Sequence, residues 1–205
     1  LDGDLTISPS VGARMDFHAW LLKNQHEGNG DFAGYFQWAN GDFDGRLWGG
    51  LDLLGGVVKF DLGASEATAA VALHFGSGDW YINAGAKEGP RIKATIMSIG
   101  NVDSYLMLSD KGLELGGSMS IYLGCSIGHV KGWAEAGLGI TPAPAIFGHA
   151  NAGLQAEVCA YDVCIGVGVT AGINFSALPV SIGCHACVEI PIPFWNPEVC
   201  GDFSL

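Results

Sequence analysis

From Leu113 to Ile127 every second residue is apolar or small: Leu113, Leu115, Gly117, Met119, Ile121, Leu123, Cys125 and Ile127. Between them stand Glu114, Gly116, Ser118, Ser120, Tyr122, Gly124 and Ser126. A strand sends the two sets to opposite faces, and at ~3.3 Å per residue the unbroken run would reach roughly 50 Å. The rhythm returns from Val163 to Phe175, where Val, Ile, Ala and Phe alternate with Cys164, Gly166, Gly168, Thr170, Gly172 and Asn174. Long strands with one apolar face and one small, polar face are the expected building plan.

The same period runs through the rest of the chain. Val11 to Leu21 alternates after a break at Ser8-Pro9-Ser10, and the polar stretch 24–30 reads as a loop or hairpin end. Asn40-Gly41 lies between two alternating runs, the strongest local hairpin signal. Further turns are expected at Gly55-Gly56, near 63–66, at 76–79 and at 87–90, with the prolines of 141–144 interrupting the ladder. No stretch carries the 3.6-residue period of an amphipathic helix. The expected fold is all-β: one domain over residues 1–205, an antiparallel meander of long strands forming a curled sheet, sandwich or barrel.

Composition narrows the partners. Nine Lys and Arg against 21 Asp and Glu give a net charge of -12, which repels phosphate backbones, so nucleic acid is not expected. Mean hydropathy is high at +0.30, yet no window offers the ~18 uninterrupted apolar residues of a spanning helix. A membrane barrel ranks behind other readings here, because six cysteines and the lack of two aromatic girdles speak against it. The chain lacks an initiator Met and a signal-like start, and reads as processed or as a fragment of something longer.

Six cysteines, five of them after residue 158, point to an oxidising, secreted or cell-surface setting with disulfides at the C-terminal end. Cys159 and Cys164 enclose a four-residue hairpin loop and are expected to pair. Of Cys184 and Cys187, one is expected to join Cys200 and the other Cys125. The competing reading of Cys184-His185-Ala186-Cys187 is a zinc half-site, whose other ligands would come from Cys125, Cys200 or a histidine without recognisable spacing. Neither a metal nor another cofactor is expected.

Other candidates are weaker. The six histidines show no ligand spacing. Asp42 and Asp44 share a strand face ~7 Å apart and read as a solvated strand start rather than a calcium or glycosidase pair. Asn174-Phe175-Ser176 is an acceptor sequence for N-linked sugar. No nucleophile elbow, phosphate loop or metalloprotease helix is present, so no catalytic residue is expected and the chain does not read as an enzyme.

The Gly-spaced run FDGRLWGGLDLLGG (43–56), the Asp79-Trp80-Tyr81 strand start and the Cys-rich end resemble Gly-rich β-strand modules of very large secreted or cell-surface bacterial proteins. They are also similar to lipid-conducting β-groove proteins, whose strands repeat Phe-x-Gly-x-Leu. The expected role is a structural or assembly module of an extracellular complex, with protein partners or copies of itself, because long strands supply β edges that can pair with a neighbour. Ile190, Pro191, Ile192, Pro193, Phe194 and Trp195 are the segment expected to reach a partner. The alternative is a β protein that binds a hydrophobic ligand, lipid or pigment.

Overall fold

The computed structural model describes residues 2–8, 12–24, 28–97, 99–143, 145–160, 163–177, 180–190 and 196–204. Their regular structure is fifteen strands and two single 3₁₀ turns in an antiparallel meander, the strand pairs within residues 2–53 and 128–204 among them. The residues gather into two compact units, one of residues 1–98 and 103–115, the other of 99–102 and 116–205. The expected partner segment Pro191–Trp195 lies outside the described residues, and Ile190 is exposed at the end of a strand.

In the first unit β1 (Asp2–Ser8), β2 (Gly12–Asn24), β3 (Gly28–Ala39) and β4 (Asp42–Leu53) follow one another across the sheet. The expected loop at 24–30 is shorter than its polar composition suggests, since β2 reaches Asn24 and β3 begins at Gly28. Asn40 and Gly41 have φ of 55° and 93°, the double left-handed turn that this dipeptide favours. The simple meander then forks. The first half of β4 pairs with β6 (Val71–Phe75), whereas its end pairs with β5 (Val58–Asp61). β6 continues to β7 (Trp80–Ala84) and on to β9 (Gly100–Ser109), and β5 continues to β8 (Ile92–Ile96).

Gly49 sits at the fork. Its φ is +137°, and a Cβ there would lie 2.1 Å from the Asp31 carbonyl oxygen. Its N–H donates to Gly63 O at 2.9 Å and its carbonyl accepts from Leu62 N at 2.8 Å. Residues 62–70, including a 3₁₀ turn at Glu66–Thr68, thereby take the place of a strand partner. The Glu66 carboxylate accepts from Arg14 Nη2 at 3.1 Å and its backbone carbonyl from Arg46 Nη1 at 3.0 Å. Arg14 also bonds Asp16 and lies 3.9 Å over the ring of Tyr35, which is only 6% exposed.

The second unit keeps the plain meander. It holds most of β10 (Gly112–Cys125), then β11 (Gly128–Ile140), β12 (Ile146–Ala160), β13 (Val163–Ala177), β14 (Val180–Glu189) and β15 (Glu198–Ser204). Each pairs with the next in sequence. β10 stops at Cys125, short of the full alternating run, because Ser126 and Ile127 form the turn into β11.

Two disulfides fasten this unit, each between directly opposed residues: Cys159 with Cys164 on β12 and β13, and Cys187 with Cys200 on β14 and β15. The first is the expected pair, and the second resolves which member of Cys184-x-x-Cys187 joins Cys200. The remaining expectation fails: Cys125 and Cys184 are both free. Three strands separate β10 from β14, so at ~4.8 Å per strand step the two residues stand far beyond disulfide reach. The zinc half-site reading of Cys184 with Cys187 also fails, because residues three apart on a strand point to opposite faces.

Candidate functional site

Opposed residues of an antiparallel pair share a face, so the register sorts the side chains of each unit. On one face of the second unit, matched rows cross four or five strands: Leu154, Val169, Val188 and Val199; Ala134, Ala152, Ala171, Ala186 and Gly201; Ala150, Ile173, Cys184 and Phe203. No charged residue occurs on this face of β11 to β15 among the described residues. It is also the open face: Val167 is 50% exposed, and Val199 76%.

The first unit repeats the arrangement. Met15, Phe36, Leu73, Ile82 and Leu108 form one row, and Phe17, Leu47, Val71, Ala84 and Leu106 the next, with Gly34 and Gly45 between them. At the turn end of the same face stand Trp38, Phe43, Phe75 and Trp80, opposed in sequence across β3, β4, β6 and β7. Phe75 and Trp80 stack with centroids 6.4 Å apart, and Trp38 tilts against Phe43 at 6.2 Å. Trp38 is 57% exposed. An aromatic band, not apparent along the sequence, is thus assembled from two hairpin ends.

The opposite face of each unit is polar and internally paired. Four of the histidines, which looked scattered, meet carboxylates across the strands. His74 Nδ1 lies 2.8 Å from Asp44 Oδ1 and its Nε2 3.4 Å from Asp79, so Asp44, expected to be solvated, is a partner. His18 contacts Asp31, His129 Nε2 is 3.5 Å from Glu157, and His185 Nδ1 is 2.5 Å from Asp202. Three of these pairs are direct register partners. Residue type marked such side chains as polar-face members, but only the register brings them together. Asn174 is exposed on this face of β13, opposite His149 and Gly183.

In the first unit a groove of about 500 Å³ is lined by His18, Asp31, Trp48, Asp52, Lys59 and Phe60 among others. A smaller cavity of about 100 Å³ in the second unit is bordered by Trp133, Gln155, Thr170, Cys187, Glu189 and Glu198. At the exposed turn after β7, Lys87 donates to Glu114 at 3.1 Å, and that hydrogen bond raises the Lys87 pKa above its ordinary value. Among the described residues no helix is long and apolar enough to cross a membrane. No protein-family model, curated protein or solved structure matches the chain.

Proposed function

We propose that this is a membrane-embedded β protein whose apolar faces lie against lipid hydrocarbon while its polar faces, with their ion pairs and disulfides, stay in water or in protein. The observation that carries this reading is the uncharged, open apolar face. Across β11 to β15 such a sheet face amounts to on the order of 1,000 Å² at the usual strand spacing and length, well above the few hundred Å² that soluble monomers expose.

Its chemistry suits lipid better than protein. Protein interfaces carry about one hydrogen bond per 100–200 Å², and the rows of this face offer almost no side-chain donor or acceptor. The dimensions also fit: the 13 residues Val163–Phe175 span ~43 Å, which at about 45° of tilt covers the ~30 Å of a hydrocarbon core. Trp38, Phe43, Phe75 and Trp80 then form the interfacial aromatic belt common in such proteins. The two disulfides are compatible with an extracellular or cell-envelope setting.

Vesicles with brominated acyl chains test this. Tryptophan fluorescence should be quenched through Trp38 and Trp80, so that Trp38→Phe with Trp80→Phe removes most of the quenching, whereas Trp133→Phe on the polar face leaves it. Detergent-free monodisperse protein that shows no quenching sinks the proposal.

A second reading, the self-associating structural module of an extracellular assembly, is favoured by the strand edges. Among the described residues β1 and β15 each pair with one strand only, and an unpaired edge invites another chain.

A further inference from the structure

We propose that the polar face of the β14–β15 hairpin holds a zinc site that exists only when the Cys187–Cys200 disulfide is reduced. Three opposed pairs stand in succession there: Glu189 with Glu198, Cys187 with Cys200, and His185 with Asp202. His185 Nε2 lies 2.8 Å from Cys187 Sγ, and one ligand atom from each of His185, Cys187 and Cys200 falls within 4.8 Å of the others. A tetrahedral zinc ion with Zn–S near 2.3 Å sets two thiolates about 3.8 Å apart, so once the S–S bond opens only small shifts are needed.

The surroundings of these three ligands are those of a metal centre. Asp202 accepts from His185 Nδ1, which fixes the tautomer and turns Nε2 toward the sulfurs, the usual role of a carboxylate behind a zinc-bound histidine. Cys187 is 4% exposed and borders the cavity of about 100 Å³ that also touches Glu189 and Glu198, which puts open space beside one of the sulfurs. Thiolates formed among Glu189, Glu198 and Asp202 accumulate negative charge on one small patch. A divalent cation offsets that charge, whereas simple thiol–disulfide exchange leaves it standing.

The disulfide itself donates no thiolate and so cannot hold the ion. A dithiol supplies two electrons and two protons to the Cys187–Cys200 bond and becomes a disulfide, leaving two protein thiols. Zn²⁺ then displaces both thiol protons and binds the two sulfurs and His185 Nε2. Reoxidation by a disulfide releases the metal. The site faces away from the apolar surface, so it stands or falls separately from the membrane reading.

Cobalt(II) titration of the full chain, oxidised and after reduction by a phosphine, provides the test through the thiolate-to-cobalt absorption band. The reduced protein should bind at least one equivalent with this band and the oxidised protein none. Cys200→Ser should lack one equivalent, and Asp202→Asn, an exposed and conservative change, should weaken binding by about 10–100-fold. No band in the reduced protein, a band of unchanged stoichiometry in Cys200→Ser, or an unchanged affinity in Asp202→Asn overturns the proposal.

Discussion

Gly49 shows how much one residue decides. At its φ of +137° any L side chain is strained, and the Asp31 carbonyl already fills the space a Cβ needs. Gly49→Ala should destabilise the first unit by about 1–3 kcal/mol and should also free residues 62–70, visible as faster amide exchange there. Unchanged exchange and an unchanged denaturation midpoint would show that the fork does not hang on this glycine. Gly153 matters for its lack of bulk rather than its backbone. A Cβ there would come within 2.5 Å of the Trp133 indole nitrogen, so the missing side chain makes room for an aromatic ring across the polar face. Both glycines are conspicuous in the sequence as strand interruptions. The backbone geometry of Gly49 and the partner of Gly153 depend on which strands lie beside them.

At the scale of the element, β13 is the clearest case. Alternation alone assigns Val163 to Phe175 to a strand with Val and Ile on one face, and the structure adds which face is open. A charge placed there should be costly only in lipid. Val167→Arg should lower the stability of the bilayer-inserted protein by about 2–4 kcal/mol if it sits near the midplane, while Thr170→Arg on the polar face should cost far less; denaturant titration in vesicles compares the two. Equal, small effects would place β13 outside hydrocarbon. The hairpins themselves were legible, Asn40-Gly41 and Cys159–Cys164 among them, because their signals are local. The fork at β4 was not, since the exchange of β5 for β6 is made by residues 62–70, whose anchors Arg14 and Arg46 lie far away in sequence.

For the whole molecule, the edges set the behaviour. An unpaired strand edge is intolerable in hydrocarbon because its backbone groups find no water, and β1 and β15 each have one strand partner among the described residues. If those edges pair between copies, the detergent-solubilised protein should scatter light as more than one chain after correction for bound detergent; a single chain at high concentration argues against pairing between copies. The sequence by itself determined the all-β class, the antiparallel hairpins, the division of side chains into oily and polar sets and the disulfide at Cys159, since each follows from a period of two or a span of a few residues. Only the tertiary structure decided that the oily set lies open, that four aromatics from separate strands form one row, that four of the histidines stand against carboxylates, and that Cys125 and Cys184 stay apart. Those outcomes depend on register and strand order, which are fixed by pairing between residues distant along the chain.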